Sequence, residues 1–220
     1  MNPEAGTNAT AKLLEAVGPS GAAIIAVIAL GSVVALAIFL TRLWTLRGRA
    51  ILPRALVITV RDLVLREQVA EAMTVCRTDE SPLGRVFLAG LRQAGRRRET
   101  VKEIVQEVGR HEAQLLLRGL GPLEVVAVVS PLLGLLGTVW GMIDVFRAIS
   151  VHGVGDAGAL AGGIGTALYT TFAGLLVAIP ARVAHSYLLS RTDRLVLAME
   201  ERALEMVDLV AAGDGATPAA

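Results

Sequence analysis

The groups of this chain best suited to moving a proton are hydroxyls set among glycines. One apolar stretch reads Gly165-Thr166-Ala167-Leu168-Tyr169-Thr170-Thr171-Phe172-Ala173-Gly174 and holds three threonines. A second carries Ser130, Pro131, Gly134, Gly137, Thr138 and Gly141. A hydroxyl both donates and accepts, so a seam of them can order water and pass protons without holding a fixed charge. On a helix Thr166 and Thr170 stand one turn apart with Gly174 continuing their row, while Thr171 lies about 140° from Thr166. Ser130, Gly134, Gly137, Thr138 and Gly141 fall within about 100° of one another. Thr138, Thr166, Thr170 and Thr171 are therefore the candidate proton-pathway residues. A blander reading stands beside this one. A membrane threonine ordinarily bonds the carbonyl three or four residues back. A glycine stripe ordinarily packs helices, and Gly137-x-x-x-Gly141 is the minimal form of that motif. Pro131 removes one backbone hydrogen bond, which a lipid-buried helix tolerates only beside protein or water. Ser130, Pro131, Gly134, Gly137, Gly141 and Gly174 are thus expected on helix-packing faces buried in an assembly.

Ionisable groups in these stretches are few. Glu124 and Arg147 bracket the Ser130 stretch, and no acid or base lies at its middle. Asp144 and Arg147 are i, i+3 neighbours, spaced either to pair with each other or to line an outer mouth. Other chemistry fails on context. Gly153-Val154-Gly155-Asp156-Ala157-Gly158 matches a dinucleotide fingerprint but has no preceding strand. His111-Glu112 lacks a second histidine four residues on, where Leu115 stands. The three histidines are scattered, so no metal cluster is legible. No phosphate-binding loop and no nucleophile–base pair are visible, so neither an enzyme nor a cofactor is expected.

The elements that must hold these residues are long and apolar. The 220 residues are 54% hydrophobic and 19% charged, against about 25% charged in ordinary soluble domains. Residues 16–41, 125–143 and 157–181 contain no Asp, Glu, Lys or Arg. About 20 apolar residues at about 1.5 Å each span a bilayer core. Three such runs predict an all-α integral membrane protein with three transmembrane helices, the second and third extended into a helical cytoplasmic region. The first run is too long for a secretory signal and has only Lys12 before it. A single cysteine, Cys76, excludes an internal disulfide. The formal net charge of +1 gives the chain no general attraction for nucleic acid.

Charge placement predicts the orientation. Fifteen of the 21 cations lie between Arg42 and Arg118, and none lies in residues 148–156. Basic segments stay cytoplasmic, so both the N-terminus and that short loop are expected outside and the C-terminus inside. The organisation that follows is an external segment over 1–19, with a break at Gly18-Pro19-Ser20, and transmembrane helix 1 over 20–41. A cytoplasmic helical region covers 42–121 and transmembrane helix 2 covers 123–147. An external loop over 148–156, transmembrane helix 3 over 157–181, a cytoplasmic helix over 182–210 and a flexible tail over 211–220 complete the chain. Within 42–121, apolar Leu65, Val69, Ala72 and Cys76 predict a helix over 61–75. Pro82 suits the first position of the next helix, and Gly95-Arg96-Arg97-Arg98 separates it from a longer one starting near Glu99. Gly119 and Gly121-Pro122 form a joint. The run of arginines at 96–98 reads as a solvated face able to touch anionic membrane lipid.

The span-two sequence Ser130-Pro131-Leu132-Leu133-Gly134-Leu135-Leu136-Gly137-Thr138-Val139-Trp140-Gly141-Met142 resembles that of the ExbB/TolQ proteins, most of all ExbB. The flagellar stator subunit MotA is a distant relative of these. The likeness continues through Leu160-Ala161-Gly162-Gly163-Ile164-Gly165-Thr166-Ala167-Leu168, Thr170-Thr171, Gly174-Leu175 and Ala178-Ile179-Pro180-Ala181. It implies a proton-channel subunit of an inner-membrane motor driven by the proton motive force. By the same resemblance the chain forms a homopentamer around two copies of a single-span, aspartate-bearing partner of the ExbD/TolR type, with a TonB-like protein as a further partner. Thr138 and Thr171 match the family's pore-facing threonines, and Pro131 matches a proline shared with the flagellar branch. Thr166 stands where ExbB and TolQ carry a glutamate in Gly-Ile-x-Glu-Ala-Leu, and Ser186 replaces an asparagine. The partner's aspartate is then the only mid-membrane acid, with threonines supplying hydroxyls. The departures admit TonB-type uptake, Tol or gliding-motor relatives. A passive membrane scaffold, whose Gly/Thr faces only pack helices, is the alternative from another class. An ATP-driven permease subunit is disfavoured by only three spans and no coupling helix.

Overall fold

The computed structural model describes residues 4–153 and 157–212. Among them every regular element is an α-helix: α1 (Glu4–Thr45), α2 (Gly48–Ile51), α3 (Arg54–Leu65), α4 (Val69–Thr78), α5 (Pro82–Leu91), α6 (Arg98–Leu117), α7 (Gly121–His152) and α8 (Ala157–Ala212). The chain divides into two compact units, one of residues 1–40 and 120–186, the other of residues 41–119 and 187–220.

The first unit holds apolar stretches of α1, α7 and α8. Each of these helices is long and apolar enough to cross a membrane. The segment Gly21–Thr45 has a mean hydropathy of 2.9 at its most apolar. Its Leu30, Val33 and Leu36 are exposed although nothing polar accompanies them, as a helix solvated by lipid requires. Ile28 and Ala35 are buried, and Gly31 meets Val126 of α7. Pro131 and Pro180 lie inside α7 and α8 without ending either helix.

The second unit is a helical bundle with an aliphatic core. Leu56, Val60 and Val64 of α3 recur every fourth residue and meet Ala72 and Cys76 of α4. Leu83, Val86, Phe87 and Leu91 of α5, with Val101 and Val105 of α6, extend that core. Met199, Ala203, Met206 and Val207 of α8 close it. Helix α5 starts at Ser81, whose hydroxyl accepts from Gly84 N–H at 3.0 Å, with Pro82 in the first turn. Between α5 and α6, Arg85 grips Glu112 through Nε at 2.7 Å and Nη2 at 2.6 Å, while its Nη1 donates to the Glu80 carbonyl. Glu112 is only 5% exposed at its side chain, so this bidentate pair satisfies an otherwise costly buried charge. Arg191 of α8 donates from Nε to the Leu46 carbonyl at 2.9 Å, tying down the chain just past α1. The Arg42 guanidinium lies against Gly119, where any side chain would overlap it.

Several boundaries differ from those the sequence predicts. The helix expected over 61–75 is two, because Glu67 adopts φ 62°. Glu67 N–H reaches Val64 O at 3.0 Å and Gln68 N–H reaches Leu63 O at 2.9 Å, a left-handed helix end that needs no glycine. The apolar spacing runs on through this turn and hides it, since Leu65 is exposed. Helix α1 passes through Gly18-Pro19-Ser20, where a break is expected. A proline removes only one helical hydrogen bond, and a long apolar helix on its C-terminal side can outweigh that. Helix α7 continues to His152, into the expected 148–156 loop. Residues 154–156 of that loop, 1–3 of the N-terminal segment and 213–220 of the tail lie outside the described residues.

Candidate functional site: the α7–α8 helix pair

Helices α7 and α8 run antiparallel in one constant register, because the small residues of each face the other. Gly141 faces Gly163, Gly137 faces Thr170, Gly134 faces Thr171, and Ser130 faces Gly174. A β-carbon on Gly174 would sit 2.6 Å from the Ser130 carbonyl and 3.1 Å from Gly134 Cα. One on Gly141 would sit 2.7 Å from the Gly163 carbonyl. The two backbones are therefore in near contact, which only glycine permits at those positions. The sequence reading places this stripe on a face buried in an assembly. Within the chain α8 packs against that stripe, since a helix hairpin can satisfy it locally. Gly163, which that reading did not single out, is part of the same contact.

The threonines separate into two kinds. Thr170 is fully buried, fills the notch left by Gly137, and directs its hydroxyl to the carbonyls of Thr166 and Ala167, each at 3.0 Å. Thr166 is 6% exposed and donates to the Gly162 carbonyl at 3.1 Å. Thr138 and Thr171 are half-buried. Thr138 donates to the Leu135 carbonyl at 2.7 Å, within its own helix. Thr171 bonds across the pair, donating to the Gly134 carbonyl at 3.2 Å.

Helical geometry explains the division. Counting from the centre of each contact face, Thr138 lies about 55° and Thr171 about 75° to the same side. Val126, the α7 residue that meets Gly31 of α1, lies to the other side. Thr138 and Thr171 thus share the edge of the pair that faces away from α1, along with half-buried Pro131. Thr166 and Thr170 point into the glycine contact.

Charges sit towards the two ends of the pair. Asp144 and Arg147 approach to 3.6 Å on α7. Towards the other end Glu124 of α7 and Arg182 of α8 approach to 3.9 Å. The sequence marks Glu124 at the end of its span but does not single out Arg182 as its neighbour. The signal was available: the two residues flank the ends of spans that an antiparallel hairpin must bring together.

Residues 78–201 match the MotA/TolQ/ExbB proton channel family. An ExbB homolog of Methanothermobacter thermautotrophicus, named as a biopolymer transport protein, is 37% identical over 56% of this chain and 43% of its own length. The biopolymer transport protein exbB1 of Vibrio cholerae is 47% identical over 41% of this chain and 40% of its own. Biopolymer transport protein ExbB of Xanthomonas campestris is 32% identical over 56% of this chain and 49% of its own. The chain spans about half the length of the curated relatives it matches. The matched region contains α7, the glycine-lined part of α8 and the four threonines, and the match covers more than half of the chain: this ExbB-like membrane protein belongs to the MotA/TolQ/ExbB proton channel family.

Proposed function

We propose that the chain is the channel-forming subunit of a motor in the bacterial inner membrane, driven by the proton motive force. The observation that carries this reading is the open edge of the α7–α8 pair. There Thr138 and Thr171 stand half-buried, with hydroxyls able to exchange their intramolecular bonds for water. Thr166 and Thr170 serve the pathway indirectly, by holding the two helices in register. Glycine packing of Ser130, Gly134, Gly137, Gly141 and Gly174 makes the pair a rigid wall. Pro131 lies on its open edge and has no N–H to offer the Ala127 carbonyl.

The N-terminus is periplasmic and the C-terminus cytoplasmic in this reading, which the distribution of cations supports. Copies of the chain assemble as a pentamer around two copies of an ExbD/TolR-like single-span protein, whose membrane aspartate accepts the proton. The motor transmits its work to a TonB-like protein or a related envelope system. Exposed apolar side chains such as Leu132, Leu135 and Val139 on α7 and Leu168, Phe172 and Leu176 on α8 support contacts with lipid and neighbouring copies. Asp144 and Arg147 line the outer mouth.

The test is co-expression with the neighbouring single-span, aspartate-bearing protein, native mass measurement, and proton flux into pyranine-loaded liposomes under a potassium diffusion potential. A complex of five and two copies that conducts protons is expected. A monomer or dimer that ignores the partner and carries no protons would leave the passive scaffold as the better reading.

A further inference from the structure

The open edge of the α7–α8 pair does not end at the two threonines. Measured round α7 from the centre of its contact face, Thr138 lies at about 55°, Pro131 at about 75° and Glu124 at about 95°. Round α8, Thr171 lies at about 75° and Arg182 at about 95° to the same side. The 3.9 Å approach of Arg182 to Glu124 agrees with that placement. Val126, against α1, lies about 160° round α7 from Glu124. Along α7, Gly134 and Glu124 are separated by about 15 Å, and Thr171 and Arg182 along α8 by about 16 Å. The same edge therefore carries, in order, Thr138, the Thr171–Gly134 bond, the Ala127 carbonyl released by Pro131, and the Glu124–Arg182 pair.

We propose that Glu124 is the proton-release station of this channel, the carboxylate on which a proton leaving the hydroxyl line rests before it reaches bulk water. The inference rests on the channel reading above. A water on the line takes up a proton from the hydroxyl line and gives one to a Glu124 carboxylate oxygen; its own O–H bond breaks as the carboxyl O–H forms, and the water is left neutral. The carboxyl O–H bond breaks as the proton passes to bulk water, and the carboxylate is restored. Arg182 acts as a positioning residue. At 3.9 Å it is near enough to orient the carboxylate, and both side chains are more than half exposed, so water reaches them. The Ala127 carbonyl, about 4.5 Å along the axis from Glu124, is left without its helical N–H donor by Pro131.

The test uses the full chain co-purified with its single-span partner in pyranine-loaded liposomes. Glu124→Gln is expected to lower proton flux about tenfold or more at unchanged native mass, with Glu124→Asp intermediate and Arg182→Lys close to wild type. Wild-type flux in Glu124→Gln overturns the inference while leaving the channel reading intact. A wild-type complex that carries no protons overturns the channel reading itself, and this inference with it. Should Glu124→Gln not assemble, Glu124→Asp decides alone: it keeps the charge but withdraws the carboxylate by one methylene, and undiminished flux there overturns the proposal.

Discussion

Replacing Gly174 by alanine should separate α7 from α8, and the structure sets the size of the effect. The new β-carbon would lie 2.6 Å from the Ser130 carbonyl oxygen, 3.1 Å from Gly134 Cα and 3.3 Å from Gly134 N. Comfortable contact begins at about 3.5 Å, so the first of these is short by roughly 1 Å. All three atoms are backbone, so no side chain can rotate away and the helices themselves must part. Overpacking of this kind costs about 1–3 kcal/mol. A gap of 0.5–1 Å along the rest of the contact forfeits about a quarter to a half of each dispersion well. Gly162 and Gly165 on the same helix supply the control, because a β-carbon at either meets nothing within 4 Å. Alanine there should be neutral or stabilise the helix by about 0.5–1 kcal/mol through propensity alone. The two classes should therefore differ by about 3 kcal/mol, a factor of about 100 in the unfolding equilibrium. The assay is helicity by circular dichroism in mild-detergent micelles titrated with dodecyl sulfate. Equal midpoints for Gly174→Ala and Gly165→Ala would refute the claim that this contact closes the hairpin within one chain.

Thr171→Val should reduce proton flux about tenfold at unchanged native mass, since the open edge loses a hydroxyl. Thr170→Val, whose hydroxyl bonds only its own helix, should lose about 1 kcal/mol of stability and leave flux unaltered. In the other unit, Glu112→Ala should cost about 2 kcal/mol in thermal unfolding; it strands Arg85, whose partial exposure keeps the loss below that of a fully buried pair. Burial first, and the nearby Asp79 carboxylate second, push the Cys76 thiol up to about 12. The folded protein should therefore resist maleimide labelling at pH 8, with reactivity appearing only as denaturant opens the bundle. The sign for stability follows. Below the ordinary thiol value of 9.0 the Cys76 contribution is constant; between 9.0 and about 12 it is lost as pH rises, because the unfolded chain ionises first.

Much of the fold was legible because its causes are local. Ser81-Pro82 marked the start of α5, Gly95 at φ 85° the break before α6, and Gly121-Pro122 the start of α7. The α3–α4 turn was not legible, because Glu67 in the left-handed region has no glycine to announce it and the apolar spacing continues across. The break expected at Gly18-Pro19-Ser20 failed for the opposite reason: a strong local signal was overridden within a continuous helix.

By itself the sequence determined the membrane class, because a run of about 20 residues without charge has no other stable setting in so small a chain. It determined the family too, since the glycine and threonine spacing of spans two and three carries that likeness. Only the tertiary structure decided what each hydroxyl does. Helical phase put Thr166 and Thr170 on one row, but the register of α7 against α8 turned that row into the glycine contact and left Thr138 and Thr171 on the open edge. The same register brought Arg182 to Glu124 across 58 positions of sequence. A one-dimensional pattern fixes angles within a helix, while which edge is covered depends on the close approach of a second backbone.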